Sequence, residues 1–192
     1  MRLPLSSHDR TVVQHPLFWL VLFARIAAAA YILVDPLWGF IATLVFDYVD
    51  ALTWMHTLGM SRKLYYEIDK PMDWVSYIVM YAVAIQQGFS LLLTPFLIYR
   101  LIGQVIFMTS GRQKHFVFFP NFFEVVFFWH ILGDRLGADV GSQPFLMLLA
   151  GLLVLKIIQE IGVYYVWPAH LRRHGYPWIL RLLGQTKKVR WT

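Results

Sequence analysis

The sequence predicts an all-α, polytopic membrane protein with six transmembrane helices, and its composition is the first observation behind this prediction. Of the 192 residues, 58% are hydrophobic and only 15% are charged. A soluble domain is roughly 45–50% apolar and about 25% charged, so this chain has too few ionic side chains to cover its apolar surface in water. The composition also excludes a disordered chain. The absence of cysteine excludes disulfides and thiolate metal sites.

Six continuous apolar segments are the second observation. They cover residues 16–34, 37–55, 72–86, 89–109, 116–133 and 144–167. Because a helical span takes about 20 residues, six spans use nearly the whole chain and leave a single integral membrane domain, 1–192. The segments do not alternate between polar and apolar residues, which favours helices over barrel strands. The third segment is long enough only if its helix extends back through Asp69, and the fifth contains Pro120 and Asn121.

The positions of lysine and arginine are the third observation, and they predict the topology. The cations gather in the N-terminal arm, the second and fourth connections and the C-terminal tail: Arg2, Arg10, Arg62, Lys63, Lys70, Arg112, Lys114, Arg172, Arg173, Arg181, Lys187, Lys188 and Arg190. The other three connections hold only Arg135. Because such cations stay on the cytoplasmic side, we expect a multi-pass protein of the cell membrane with both termini in the cytoplasm.

The two ends of the chain are expected to lie at the membrane surface. Residues 1–15 predict an interfacial arm and residues 169–192 a basic cytoplasmic tail. The net charge of +6 is spread over the ends of the segments and not gathered on one face. This distribution argues against nucleic-acid binding.

Ionisable residues inside the predicted spans are the candidate functional residues. A charge in the membrane interior is costly and usually faces a bundle interior or an aqueous cavity. These residues are Arg25, Asp47, Asp50, Asp73, Arg100, Glu124, Lys156 and Glu160, with Asp69 at the start of the third span. Lys156 and Glu160 are four residues apart and can neutralise each other. The number of these groups predicts a polar cavity that opens to the cytoplasm.

The four aspartates are expected to form one cluster. Asp47 and Asp50 are three residues apart, so they share one face of their helix. Asp69 and Asp73 are four apart and share a face of the next helix. A short cytoplasmic turn lets the two pairs meet, and carboxylate oxygens suit Mg²⁺, Mn²⁺ or Ca²⁺ with a substrate phosphate bound to the metal. The structural alternative is that the second pair is exposed at a helix start, where the helix dipole favours acids, and that the first pair binds one of the two intramembrane arginines.

This aspartate framework resembles that of the CDP-alcohol phosphotransferases, six-helix membrane enzymes of phospholipid synthesis. Their signature has two Asp three apart at the end of the second helix and two Asp four apart at the start of the third. A Gly, an Ala-Arg pair and a second Gly lie between them. The aspartate pairs here reproduce this framework with one extra residue between them. Ala51 stands in place of the first Gly, Trp54 and Met55 in place of the Ala-Arg pair, and Tyr65 or Tyr66 in place of the second Gly.

The resemblance implies a transfer of a phosphoalcohol group from a CDP-alcohol, or another pyrophosphate donor, to an acceptor alcohol, with CMP leaving in the first case. It implies that Mg²⁺ or Mn²⁺ is held by the four aspartates, Asp47, Asp50, Asp69 and Asp73. Asp73 would also act as the general base. The phosphate of an anionic acceptor would bind to basic residues among Arg100, Arg112 and Lys114. The partners are then the lipid bilayer, the donor and the acceptor. The resemblance leaves undecided whether the protein forms a homodimer.

Three other classes of membrane protein share parts of this pattern. Intramembrane prenyltransferases also bind a pyrophosphate through aspartate pairs, but they need a longer chain. A haem protein needs two facing histidines, and only His130 lies well inside a span. The strongest rival is a non-catalytic membrane subunit whose acids pair with arginines. Bound divalent metal between the second and third helices would favour the enzyme, and Asp–Arg pairs without a cavity would favour the subunit.

Overall fold

The computed structural model describes residues 6–111 and 113–166, and within these ranges the chain is helical, with no strand. In chain order the helices are α1 (Ser7–Gln14), α2 (Pro16–Tyr31), α3 (Pro36–Asp50), α4 (Arg62–Gln86), α5 (Ser90–Ser110), α6 (Phe122–Leu136) and α7 (Gln143–Ile161). The predicted tail and Arg112 lie outside the described residues, as does the side chain of Lys114.

Shorter helical pieces extend or join these elements. α3 continues directly into a π-helical turn, Ala51–Thr57, and α7 into another, Gly162–Val166. A 3₁₀ helix, Gln113–Phe118, joins α5 to α6. The predicted interfacial arm contains α1, which meets α2 at an angle of 63°.

Local sequence signals explain where the helices begin and end. Asp35 accepts hydrogen bonds from two amides of the first turn of α3, and Pro36 follows it at a position where a helix needs no N–H donor. The hydroxyl of Ser61 accepts from the amide of Leu64 and caps α4. Gly111 and Gly137 end α5 and α6 in the left-handed conformation, which glycine adopts without strain.

The six predicted apolar segments each contain a helix, but two have different bounds. α4 begins well before residue 72, so Asp69 and Asp73 lie on it. The fifth segment is not one helix from residue 116, because Pro120 has no N–H to donate to a helix. The side chain of Asn121 then accepts from the amide of Glu124 and starts α6.

Three of the described helices are long and apolar enough to cross a membrane: Pro36–Thr57, Ser90–Ser110 and Gln143–Tyr164. α1 and α2 qualify only when they are taken together as one bent span. α4 has the length but carries charged residues along its first half, and α6 is about 22 Å long against a hydrocarbon core of about 30 Å. Large apolar side chains also cover the outside, where Leu91 is 89% exposed and Val34 77%. The surface therefore suits lipid.

The buried charges lie between two apolar clusters. The central cluster joins α3, α4, α5 and α6, and the N-terminal cluster packs α1 and α2 against the π turn and α4. On α2, Arg25 lies between Val21 of the N-terminal cluster and Ile32 of the central one. On α3, the aspartates lie between Phe40 of the central cluster and Trp54 of the π turn. Each helix therefore brings its charged residues to one layer.

The end of α2 and the start of α3 approach each other closely. A Cβ atom added to Gly39 would lie 2.3 Å from the backbone nitrogen of Ile32 and 2.5 Å from its Cα. Real Cβ contacts are much longer, and backbone cannot move aside like a flexible side chain. Only glycine therefore lets the two backbones meet here, at the start of α3.

Candidate functional site

Arg25 of α2 lies at the centre of the four aspartates. One terminal guanidinium nitrogen, Nη1, donates to Asp50 and, at 2.9 Å, to Oδ1 of Asp69. The other, Nη2, donates at 2.8 Å to Oδ1 of Asp47 and at 3.1 Å to Oδ1 of Asp73. Each nitrogen joins one carboxylate of α3 to one of α4. The structure thus brings the two pairs together, and it places a guanidinium between them.

Both aspartate pairs lie beside an irregularity of their helix. α3 changes to π geometry directly after Asp50, and π turns are rare and frequently found at functional sites. On α4, Pro71 lies between Asp69 and Asp73 and removes one backbone donor from the helix. Two unfavourable backbone features therefore coincide at the charged layer.

Asp50 and Asp47 differ in how freely they can bind a ligand. Asp50 has no exposed side-chain surface, and its two oxygens accept from Arg25 and, at 3.1 Å, from the hydroxyl of Tyr65. The side chain of Asp47 is 48% exposed, and its Oδ2 has no hydrogen-bond partner among the described residues. The metal-ligand role expected for Asp50 stays a prediction, and both of its oxygens already have protein partners.

Lys70 lies in a place that the sequence did not predict. It was expected in the cytoplasmic connection before the third span, but it lies on α4 and is 7% exposed. Its Nζ is 2.7 Å from Oδ2 of Asp69 and 2.9 Å from Oδ2 of Asp73. Gln104 of α5 also donates to Asp73, at 3.4 Å. The sequence spacing could have indicated this contact, because Lys70 lies three residues before Asp73 and both side chains therefore share one helix face.

Trp54 of the π turn is buried away from the charged layer. It has no exposed surface, and its ring packs against Phe18 with centroids 5.0 Å apart and against the edge of Tyr65 at 6.3 Å. Its indole N–H has no acceptor in the part of the chain that the structure describes. Trp54 therefore belongs to the N-terminal apolar cluster.

A polar cavity of about 240 Å³ lies beside the aspartates, as the sequence predicted. One wall, the aspartate wall, comes from α3 and α4 and includes Asp47, Asp69 and Asp73. The opposite wall, the glutamate wall, comes from α5, α6 and α7 and contains four charged residues: Arg100, Glu124, Lys156 and Glu160. Tyrosines, two amide side chains, Lys70 and a few apolar residues complete the lining.

Arg100 is as buried as Arg25 but has neutral partners. It is 4% exposed, and its Nε donates to the hydroxyl of Tyr77 at 3.3 Å. Its Nη1 donates to the carbonyl of Phe119 at 2.9 Å, and the guanidinium lies 4.6 Å from the ring centroid of Phe116. Across residues 6–111 and 113–166 no carboxylate forms an ion pair with Arg100. Its charge thus remains available to an anion in the cavity.

Lys156 lies between the two glutamates of its wall. Its Nζ is 3.5 Å from Oε1 of Glu160 and 4.0 Å from Oε2 of Glu124. Glu160 also accepts from the backbone amide of Asn121 at 3.3 Å. The sequence anticipated the pair of Lys156 with Glu160, and Glu124 adds a second acid to it.

The charges around the cavity do not balance. The cluster of described residues contains six carboxylates and four cations, so with every group ionised it carries two excess negative charges. Arg100 and Lys156 equal the two glutamates in number, although only Lys156 pairs with them, and the four aspartates have only Arg25 and Lys70. Buried charge without compensation is costly. One divalent cation would remove the excess.

The donor set fits such a cation. Asp47, Asp69 and Asp73 each offer a carboxylate oxygen, and these oxygens all lie within 4.8 Å of one another. Hard cations such as Mg²⁺ and Mn²⁺ prefer oxygen ligands of this kind. Three of the four expected ligands therefore form a group that can bind one ion.

Comparison with known proteins finds no matching family, no matching curated protein and no matching solved structure. The class of this protein therefore follows from its own fold and site: a helical protein with membrane-length helices around a buried, charged cavity.

Proposed function

We propose that this chain is a membrane phosphotransferase that moves a phosphoalcohol group from a pyrophosphate-linked donor to an acceptor alcohol, as in phospholipid synthesis. In the enzymes that the sequence resembles, the donor is a CDP-alcohol and CMP is released. The observation that carries the proposal is the group of three aspartate oxygens on a cavity wall that has excess negative charge. A phosphate donor that binds together with a divalent cation is compatible with this negatively charged wall, whereas an anion alone would be repelled by it.

The spacing of the aspartates supports the proposal despite the extra residue between the pairs. That residue falls in a stretch that contains the π turn Ala51–Thr57, and a π turn takes up more residues per turn than an α-helix. The two pairs meet around Arg25, which supports a shared site for all four aspartates.

Each wall of the cavity has its own part in this reaction. Asp47, Asp69 and Asp73 would hold Mg²⁺ or Mn²⁺, with Asp50 behind them. When bound, the metal neutralises charge on the transferred phosphoryl group and on the leaving phosphate. Asp73 takes the proton of the acceptor hydroxyl, whose oxygen attacks the phosphorus as the bond to the leaving phosphate breaks. Arg100 binds an anionic group of the acceptor from the opposite wall.

The donor end is where this chain departs from the resembling enzymes. Trp54 and Met55 stand at the Ala-Arg positions and Tyr65 or Tyr66 at the second Gly; Trp54 does not line the cavity, whereas the other three do. The cavity, about 240 Å³, is also smaller than the roughly 300–1,000 Å³ of typical ligand pockets. In this proposal the reactive pyrophosphate occupies the cavity and a nucleoside extends beyond it. A donor without cytidine is therefore part of the proposal.

We also propose six spans with both termini in the cytoplasm and the cavity open to that side. Supporting this are the six helical segments and the one-sided distribution of Lys and Arg. Because the chain has no cysteine, single Cys variants report topology directly. Lys63→Cys should be labelled from the cytoplasm and Gln143→Cys from outside; both residues are exposed. Labelling of both from the same side would rule out this topology.

The activity test is a pair of acid variants on one helix. Purified protein in lipid nanodiscs is assayed for CMP release from CDP-alcohols, and for phosphate release from other pyrophosphate lipids, with and without Mn²⁺. Asp73→Asn should lower the turnover rate at least about a hundredfold because the general base is removed. Glu67→Gln is the matched control, since Glu67 is an exposed acid on the same helix. Equal turnover in both variants, or no turnover by the wild type with any donor, contradicts the proposal.

A non-catalytic membrane subunit is the second candidate, and one observation favours it. All four aspartates are bound by Arg25, which is the Asp–Arg pairing expected of structural acids. The cavity beside them is not expected of that candidate. Absence of Mn²⁺ binding by the wild-type protein would decide for the subunit.

A further inference from the structure

The guanidinium of Arg25 takes the central position among the four carboxylates. Its two terminal nitrogens each bridge a carboxylate of α3 and a carboxylate of α4. A cation that bridges two acid pairs in this way does what a bound metal ion does in a carboxylate cluster. We propose that Arg25 is the permanent cation of this site and limits it to one divalent ion, bound on the side of Asp47. This inference rests on the proposed function.

The chemistry of arginine makes this cation permanent. A guanidinium stays protonated at every pH that a protein meets, so Arg25 does not leave the cluster by losing its proton. Arg25 is 4% exposed, and Asp50 on its inner side has no exposed side-chain surface. The planar guanidinium of Arg25 donates to four carboxylates at the same time. Displacing Arg25 would leave Asp50 without this hydrogen-bond donor, and water could not replace it because the side chain of Asp50 is fully buried.

The count of charges gives the number of ions. The four aspartates carry four negative charges, and Arg25 and Lys70 supply two positive ones. One divalent ion brings this half of the cluster to neutrality. A second ion would leave two positive charges buried beside Arg25, which repels them at short range.

The free oxygens give the side on which the ion binds. Asp50 uses both oxygens within the protein, whereas Oδ2 of Asp47 has no partner among the described residues and its side chain is half exposed. Asp69 and Asp73 give their Oδ2 atoms to Lys70, whose ammonium sits on a flexible stem. The ion therefore enters from the cavity beside Asp47, and the flexible stem of Lys70 lets its ammonium shift within the cluster without leaving it.

The test counts Mn²⁺ ions bound to the full chain in lipid nanodiscs, by equilibrium dialysis and by the electron paramagnetic resonance of bound Mn²⁺. The wild type should bind one ion per chain at the cluster, without the line broadening that two neighbouring ions cause. Arg25→Gln removes the repelling charge and should bind Mn²⁺ at least about tenfold more tightly. Arg25→Lys keeps the charge and should still bind one ion, with an affinity within about threefold of wild type. Arg135→Gln is the control, because Arg135 also pairs with an aspartate but is 57% exposed and remote from the cavity.

The outcomes separate this inference from the proposed function. Two Mn²⁺ ions bound by the wild type, or by Arg25→Lys, overturn the inference and leave the phosphotransferase standing. One ion with an affinity that is unchanged in Arg25→Gln also overturns the inference. No Mn²⁺ bound by the wild type overturns both. If Arg25→Gln does not fold, the stoichiometries of the wild type and Arg25→Lys still decide.

Discussion

Arg25 lies behind the aspartate wall of the cavity and Arg100 lies on the glutamate wall; both are 4% exposed, yet their surroundings have opposite character. Arg25 has four carboxylates around it, whereas Arg100 has a phenol, a carbonyl oxygen and an aromatic ring. Equal burial therefore does not mean equal function. The charge of Arg25 holds the aspartates together, and the charge of Arg100 is left for a ligand.

The largest difference is expected when each arginine loses its charge. Arg25→Met leaves four carboxylates facing each other in a buried place and should lower the free energy of unfolding by about 3–5 kcal/mol. Arg100→Met leaves the carbonyl of Phe119 without its donor, while the hydroxyl of Tyr77 still accepts from Asn121, and should cost about 1–3 kcal/mol. Thermal unfolding in detergent measures both. Added Mn²⁺ should restore the stability of Arg25→Met and not that of Arg100→Met. Equal restoration in both variants would contradict the different roles of the two arginines.

The next effect concerns the close contact between the end of α2 and the start of α3. Gly39→Ala drives a Cβ atom into the backbone of Ile32 and should cost about 1–3 kcal/mol by overpacking. Gly151→Ala is the matched control, because a Cβ there meets no atom within 4 Å and alanine favours the helix. The same unfolding assay compares them. Should the two variants be equally stable, α2 and α3 do not meet as closely as described.

A smaller effect separates the inner side of the cluster from its exposed side. Tyr65→Phe removes the hydroxyl that donates to Asp50 and should cost about 1 kcal/mol, since Asp50 is fully buried and gains no water in exchange. Tyr48→Phe is the control on the same cavity, because Tyr48 is 63% exposed. If Tyr48→Phe lost as much stability as Tyr65→Phe, the effect would come from the cavity as a whole and not from the bond to Asp50.

The smallest effect is expected outside both walls, at the contact between α1 and the start of α4. Burial alone would raise the pKa of Asp9, but hydrogen bonds from Ser61 and Ser6 outweigh it, so the pKa lies below its ordinary value of 3.8. A depressed pKa means that ionised Asp9 stabilises the fold above about pH 3.8 and that this stability is lost as the pH falls lower. Unfolding curves of wild type and Asp9→Asn between pH 3 and 7 should converge on the acid side. Parallel curves would show that Asp9 does not hold α1.

The sequence predicted the helices and the meeting of the aspartates better than it predicted their partners. Spacing of three and four residues fixes a helix face, so Asp47 and Asp73 could be brought together without coordinates. Spacing does not say which neighbouring helix presents an arginine to that face. Arg25 and Arg100 both lie inside apolar helices, and only the packing of the helices shows that Arg25 is the one that meets the aspartates.

Two further features depend on contacts that a one-dimensional pattern lacks. Lys70 resembled a cytoplasmic loop cation because it follows the cations of a connection, but α4 extends past it and buries it. The sixteen residues between Met55 and Met72 looked like one turn, whereas the first two belong to the π turn, the last ten belong to α4, and only residues 58–61 connect them. Helix bounds here follow from caps and tertiary packing, which override local preference.

Crystals grown or soaked with Mn²⁺ test the central claim most directly, because the anomalous signal of Mn²⁺ locates an ion without reference to activity. The account predicts one anomalous peak per chain, within bonding distance of carboxylate oxygens of Asp47, Asp69 and Asp73, with Arg25 still bound to Asp50. A fully occupied crystal with no peak at the cluster, or with a peak in the place of the Arg25 guanidinium, would contradict it.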